Sequence, residues 1–329
     1  MPELPEVESI ALGLRPVLVG KRVARVWVGM PVVIRGPYRR RWRAFMDELT
    51  GQRIVSVSRR AKRLILTAEG DLALVFQLGM TGKFLLACRG HPARDSKAGR
   101  LRHGAAKRVA TPSAAATLKH TRLILSFTDG TELLFVDPRR FGRVWCLRHL
   151  DPETPDAVME AAGLTPLGPE ALDLDQGTFT ALLRTDRPIK SLLLDQSRIA
   201  GLGNIYADES LWAACIHPAR AGSSLTAAEA AILLREIQKV LRRAIRAGGT
   251  TFSDFRNVYG EMGRFSERLR VYGCQGQPCR RCGTTIQYLR VAGRGTHVCP
   301  RCQAIHAGGG RNPKSQIRNP KQTRSTKSQ

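Results

Sequence analysis

The chain has 329 residues, 43% of them hydrophobic and 6% aromatic. That is enough for two domains that each bury a core, and no apolar run reaches the roughly 18 residues a membrane span needs. Lys and Arg number 53 against 27 Asp and Glu, a net charge of +26 that points to a polyanionic partner, nucleic acid before acidic protein or membrane.

Half of that excess is local. Residues 89–119 carry eight basic side chains and one acid, and the tail 308–329 carries six and none. The start, MPELPEVESI, has glutamates where a secretory signal would need a basic start and an apolar stretch, so a cytoplasmic protein is expected.

In chain order, Leu4, Val7, Ile10, Ala11, Leu14 and Val17 recur at helical spacing over residues 4–19, and Gly20 closes that helix. Short β-rich runs follow at 22–28, 53–58, 63–68, 72–78, 121–127, 131–136 and 143–148. Turn pairs such as Glu69-Gly70 and Asp129-Gly130 separate several of them. Strands so spaced, with no helix between them, predict an antiparallel sandwich or barrel over residues 1–149. Residues 89–119 lose the periodicity and read as a basic loop inserted between two strands.

The proline-containing stretch 150–168 reads as an interdomain linker. From 169 the pattern is helical, and Gly248-Gly249 ends the last long helix. One helical domain over 169–260 is therefore expected, followed at 261–307 by a loop and a cysteine-rich module. The tail 308–329 repeats Arg-Asn-Pro-Lys at 311–314 and 318–321 and is nearly free of apolar residues, which predicts disorder.

Eight cysteines in a cytosolic chain are expected as thiols or metal ligands. Cys88, Cys146, Cys215 and Cys274 are scattered and read as buried apolar thiols. The others are arranged as Cys279-x-x-Cys282, sixteen residues, then Cys299-x-x-Cys302. Each pair turns two sulfurs toward one tetrahedral ion, so the spacing predicts one structural Zn2+ without an open coordination position. Residues 284–288 and 295–298 read as the strands of a hairpin with Arg294 at its turn, placed to meet phosphate.

Glu3 and Glu6 share a face at the start of the first helix, where helix capping and the macrodipole account for both. A catalytic reading needs Met1 removed. The Pro2 nitrogen then becomes a secondary amine with a pKa of about 8, nucleophilic at neutral pH and beside two acids. Met80 in Gly-Met-Thr-Gly and Phe141 in Pro-Arg-Arg-Phe-Gly lie in turns, which argues against core packing for either. Gly201-x-Gly203 is no dinucleotide fingerprint, because Tyr206 takes the third glycine position.

MPELPEVES, Lys62 in RRAKRL, QLGMTG at 77–82, DPRRFG at 137–142, GLGNIYADES at 201–210 and the cysteine hairpin occur in that order. Together they resemble the bacterial formamidopyrimidine-DNA glycosylases over about residues 1–88 and 119–303. The resemblance implies an α+β protein. An N-terminal antiparallel β-sandwich with flanking helices precedes a helix-two-turn-helix domain with a C-terminal zinc finger.

It implies Pro2 as nucleophile, Glu3 as the acid that protonates the opening sugar, and Glu6 as the second carboxylate. Lys62, grouped with these, and Lys190, Asn204 and Arg294 match positions that bind the backbone around the damaged nucleotide. Met80, Arg139 and Phe141 match the residues that fill the void left by a flipped base. Asn204, opening a helix, is suited to cap it and present amides to phosphate. The segment 257–272 is long enough to fold over an everted base.

The implied activity is excision of oxidised purines (8-oxoguanine and formamidopyrimidines) from damaged double-stranded DNA by a monomer, followed by β,δ-elimination. Two alternatives stay open. One is a relative resembling endonuclease VIII, which prefers oxidised pyrimidines. The other is a non-catalytic DNA-binding module, against which the Pro2/Glu3/Glu6 start speaks.

Overall fold

Pro5 and Glu6 start the first element as the capping rules require. In the computed structural model, which describes residues 2–88, 119–148, 154–164, 166–251, 255–305 and 317–318, helix α1 spans Leu4–Leu18. Glu3 is its N-cap, and the Glu3 N–H donates to Glu6 Oε2 at 2.8 Å, one arm of a capping box. Leu4, Val7, Ile10, Ala11, Leu14 and Leu18 form its buried stripe. Gly20 turns the chain out at φ 83°, a left-handed conformation that a side chain would strain.

Two sheets share a hydrophobic core with that helix. The first has the order β1 (Val23–Val28), β7 (Thr121–Phe127), β8 (Thr131–Val136), β6 (Lys83–Cys88), antiparallel throughout. The second runs β2 (Ile34–Arg35), β9 (Arg143–Leu147), β5 (Leu72–Gln77), β4 (Arg63–Ala68), β3 (Ile54–Arg60). Phe76 from the second sheet meets Phe84 and Phe135 from the first at ring distances of 5.0 and 5.6 Å, so the core lies between the layers. One pair departs from the antiparallel expectation: β2 runs parallel to β9. Helix α2 (Trp42–Leu49) buries Phe45, Met46 and Leu49 against the same core.

The stretch expected as a linker contains helix α3 (Pro155–Ala161). Thr154 Oγ1 accepts from the Ala157 N–H at 3.3 Å, Pro155 opens the helix, and Asp156 pairs with Arg60 of β3 at 2.6 Å. Threonine, proline and acid in succession are a helix start, and that signal outweighs the proline content.

The described chain divides into two units, Met1–Pro166 with Ala247–Arg264, and Leu167–Arg246 with Phe265–Gln329. The second holds α4 (Gln176–Leu182), α5 (Ile189–Leu194), α6 (Asn204–Ala213), α7 (Ala227–Arg246) and the hairpin β10 (Gln287–Val291) and β11 (Arg294–Val298). The hairpin strands lie later than expected on the first side. A two-residue turn at Ala292-Gly293, with φ of 47° and 78°, pairs Val291 with Arg294 and fixes the register. Residues 284–286 instead fold back on the cysteine knuckle, where the Cys279 N–H donates to Thr284 O at 2.8 Å.

The two compact units divide the stretch expected to end the helical domain at 260 and to form one loop over 257–272. After α7 the chain rejoins the first unit, where Val258 is part of the sandwich core and Tyr259 donates to Gly13 O at 3.2 Å. Phe265 packs on Tyr206 in the second unit, with ring centroids 5.8 Å apart. Apolar anchors on both sides of Arg264 split the segment.

In the tail, Ile317–Arg318 forms a two-residue strand, β12, beside β10. The rest of 308–329, and the insertion up to residue 118, lie outside the described residues. Among the described residues no helix is long and apolar enough to cross a membrane.

Candidate active site

The N-terminal carboxylates are drawn inward by the turn that follows α7. Glu6 accepts from the Glu3 N–H through Oε2 and from the Thr250 N–H through Oε1 at 2.7 Å. Gly249, at φ 83°, lies so close that an added Cβ would fall 2.9 Å from Glu6 Oε1. Pro2, Glu3 and Glu6 are all buried. The structure thus brings this trio together and braces it with a segment about 245 residues away in sequence, a partner that periodicity alone could not reveal.

Met80, Arg139 and Phe141 come together on two neighbouring loops of the same unit. Met80 is 46% exposed and Phe141 52%, with Arg139 also exposed, so core packing is excluded for all three. The loops are fastened at their roots. Asp137, fully buried, accepts from Thr81 Oγ1 and from the Gly142 N–H, each at 2.6 Å. The Arg122 guanidinium forks onto Asp137 O at 2.9 and 2.7 Å. Gly79 fits against Phe141, where a Cβ would meet its backbone at 2.8 Å, and Arg140 is held at φ 62°. Sequence reasoning missed Asp137, Thr81 and Arg122. Their signal was an acid and a threonine inside the two turn motifs already singled out.

Lys62 sits half-buried in the β3–β4 turn after Ala61, whose φ is 52°. The arginines before it are tied to acids, Arg59 to Glu8 and Arg60 to Asp156, both at 2.6 Å.

In the second unit the structure gives Lys190 a setting that its expected phosphate contact does not suggest. Its side chain is 0% exposed, and Nζ reaches Asp208 Oδ1 at 2.6 Å, Gly295 O at 2.8 Å and Thr296 Oγ1 at 2.9 Å. Its charge is paired and its ammonium is hydrogen-bonded inside the protein. Asn204 is the first residue of α6 rather than its cap, a position held by Gly203, and its Nδ2 also donates to Gly295 O at 3.0 Å. Both residues therefore fasten the turn that presents Arg294, which is exposed at the start of β11.

Helix α6 is buried from Ile205 through Leu211, so its acids face the interior. Asp208 Oδ2 also accepts from the His297 N–H at 2.9 Å. Glu209 gathers the N–H groups of Arg270, Val271 and Tyr272 at 2.9–3.0 Å. Burial pushes the Glu209 carboxyl up, against the opposing pull of those amides. Both acids stand in the GLGNIYADES motif, and their role was illegible because it is entirely tertiary.

The four cysteines close a cage. The Sγ atoms of Cys279, Cys282, Cys299 and Cys302 lie within 4.8 Å of one another, around the spacing of about 3.8 Å that zinc–sulfur bonds of about 2.3 Å impose on a tetrahedron. Amides support the sulfurs: the Arg281 N–H donates to Cys279 at 3.5 Å and the Cys302 N–H to Cys299 at 3.4 Å. Residues and spacing fit one structural zinc.

Of the scattered cysteines, Cys146 is buried as expected and burial pushes its thiol up. Cys274 is only partly buried, and Cys215 is exposed in a left-handed turn after α6, φ 59°, beside Arg281. Those two expectations are corrected, since turn geometry rather than hydrophobicity sets their exposure. The side-chain burial of Cys88 lies outside the described residues.

A β-sandwich, a helical unit and a four-cysteine finger in one chain make the architecture of a zinc-finger DNA glycosylase. Family models match in that order. They are the formamidopyrimidine-DNA glycosylase N-terminal domain over residues 1–144, the H2TH domain of the same enzymes over 167–256, and the zinc finger found in FPG and IleRS over 276–305. The chain belongs to the formamidopyrimidine-DNA glycosylase family. A relative of that name from Enterococcus faecalis is 41% identical over 308 residues, covering 93% of this chain and 98% of its own. Two Lactococcus lactis Fpg structures, one with a Fapy-dG DNA and one with an abasic-site DNA, are each 33% identical. They superpose with TM-scores of 0.73 and 0.74, each covering 92% of this chain and 100% of its own.

Proposed function

We propose that the protein is a bifunctional glycosylase and AP lyase that excises oxidised purines from duplex DNA. The observation that carries this reading is the trio Met80, Arg139 and Phe141, solvent-exposed on two loops locked by Asp137. A thioether and an aromatic ring exposed on adjacent fastened loops are available to a partner without loss to the core. Beside a guanidinium, they suit the hole left when a base is turned out of the stack, a step that itself costs a few kcal/mol.

With Met1 removed, the Pro2 amine attacks C1′ of the extruded nucleotide and the base departs. Glu3 protonates the ring oxygen as the sugar opens, giving an iminium that serves as electron sink for β- and then δ-elimination. Glu6, fixed by the Glu3 and Thr250 amides, sets the trio's geometry. Lys62 and Arg294 hold phosphates. Lys190 and Asn204 act on the backbone at one remove, by fixing the turn before Gly295. The finger zinc is structural, four thiolates leaving no place for water. A monomer that works on chromosomal DNA in the cytoplasm is the matching state.

Excision from paired duplexes carrying 8-oxoguanine or thymine glycol tests the reading, with products resolved as cleaved strands. Faster removal of 8-oxoguanine, with phosphate at both ends of the gap, is expected. Preference for thymine glycol would support the endonuclease VIII-like alternative, and no cleavage of either would leave only a binding module.

A further inference from the structure

Seven arginines outside the site described above fall on β2, the turn after it, the start of α2 and the neighbouring strand β9 with the residue that follows it. No Asp or Glu occurs from Gly29 to Met46, a stretch that contains Arg35, Arg39, Arg40, Arg41 and Arg43. The last four are all exposed. Strand pairing brings a second group beside them. Because β2 runs parallel to β9, Ile34 and Arg35 lie opposite Val144 and Trp145, which sets Arg143 at the start of the neighbouring strand and Arg148 just past its end.

The two groups are in contact electrostatically and in space. Arg35 is held below the usual arginine range by its burial, then by the like charges of Arg143 and Arg39. Arg41 and Arg148 line one open cleft with Tyr38 and Leu147. Arg43 stacks over Trp42 at 4.6 Å, which keeps its guanidinium at the surface. Among the described residues, the acids close to this group in sequence or beside its cleft are Asp47, Glu48 and Glu160, which precedes the cleft residue Ala161. Glu48 pairs with Arg148 at 3.2 Å, and Asp47 is exposed at the end of the stretch. Exposed cations crowded this closely, with few matching acids among the described residues, raise the local positive potential and attract a polyanion.

The cluster is continuous with the loop that carries Phe141. Arg143 donates through Nη1 to Arg140 O and to Gly142 O, both at 2.7 Å. From Arg143 to Arg148 the strand advances roughly 16 Å at about 3.3 Å per residue. That length matches about five phosphates of one strand spaced at about 3.4 Å along the helix axis.

We infer that these arginines form a second DNA-contact surface, which grips the backbone of intact duplex flanking the lesion and runs outward from the Phe141 loop. The inference rests on the proposed action on duplex DNA and adds to it a partner surface with no role in the chemistry. The ligand is a regularly spaced row of phosphodiesters, so the contact is electrostatic and independent of sequence.

The test compares the full-length zinc-loaded protein with the triple variant Arg40→Gln/Arg41→Gln/Arg43→Gln on an undamaged 30-base-pair duplex, by fluorescence anisotropy across a salt series. These side chains are exposed, so folding is preserved. Three lost phosphate contacts make the slope of log affinity against log salt shallower by about 2 to 3. Affinity at 0.1 M salt is expected to fall about tenfold or more, while single-turnover excision at saturating enzyme stays unchanged.

A second triple on α7, Arg235→Gln/Lys239→Gln/Arg242→Gln, removes equal charge elsewhere and should leave the slope within about 1 of wild type. An unchanged slope in the first triple overturns the inference while leaving the proposed function standing. Equal flattening in both triples overturns it too, because the effect would then be net charge alone. Wild type that neither binds duplex nor excises a lesion brings down the proposed function and this surface together.

Discussion

Replacing Asp208 by asparagine removes one charge from a pair that has no contact with water. Asp208 and Lys190 are both 0% exposed and 2.6 Å apart, and the ammonium also donates to one carbonyl and one hydroxyl. Breaking a buried pair from one side costs about 3–5 kcal/mol, because the surviving charge stays desolvated. An amide oxygen in place of the carboxylate keeps one hydrogen bond, so about 3 kcal/mol is expected, more than a hundredfold in the unfolding equilibrium. Replacing both partners by apolar residues, Lys190→Met with Asp208→Leu, leaves no orphan charge on either side. The double variant should therefore be less destabilised than the sum of the two singles by about 2 kcal/mol or more. Zinc release to a chromogenic chelator across a urea series reports this unit, since Gly295 and Thr296 belong to the hairpin that ends at the cysteines. An Asp208→Asn protein within about 1 kcal/mol of wild type, or strictly additive losses in the double, would refute the account of Lys190 as the fastening of that hairpin.

Met80→Ala and Phe141→Ala should each leave urea stability within about 0.5 kcal/mol, since both side chains are exposed, yet slow base excision more than tenfold. Cleavage at a ready-made abasic site, which has no base to evict, should be affected less; equal losses on both substrates would count against a void-filling role. His217 is held near pKa 4, from an ordinary 6.5, by burial, with its Nδ1 accepting from the Ala219 N–H. The folded state resists its protonation, so the stability it permits is complete above pH 6.5 and declines toward pH 4, by about 1.4 kcal/mol per pH unit within that window. His217→Gln should flatten the loss between those limits, and an unchanged profile would show that other groups set the acid limit. Chelating the zinc, or Cys282→Ser, should abolish tight duplex binding while circular dichroism of the sandwich persists; full binding without metal would contradict a structural role for the finger. Deleting residues 90–117 should flatten the salt dependence of DNA binding, and an identical slope would remove the insertion from the DNA contacts.

Periodicity revealed what depends on near neighbours. The stripe of α1 and most strands of the two sheets were visible because one face of each is apolar at the spacing its geometry demands. β6 was missed because KFLLAC has little alternation and adjoins a segment without pattern, and α2 because eight residues give barely two turns. α3 was not singled out within the proline-containing stretch, although Thr154-Pro155-Asp156 is a helix start. In the site, the cysteine spacing and the wedge motifs were legible because each is local. The braces were not: Thr250 on Glu6, Asp137 between the loops, and Asp208 beneath Lys190 are pairings that only the tertiary fold creates. Lys190 shows the difference most clearly, a lysine whose expected partner was phosphate and whose actual partners are all inside the protein.

The central claim concerns one nitrogen. Incubating the Met1-processed protein with an 8-oxoguanine duplex and sodium borohydride reduces any iminium to a stable amine, and proteolysis with mass spectrometry then locates the adduct. The account predicts a covalent complex with the deoxyribose remnant on the peptide that begins at Pro2, absent when Met1 is retained. An adduct on Lys62 or another lysine, or no adduct while base excision proceeds, would contradict it.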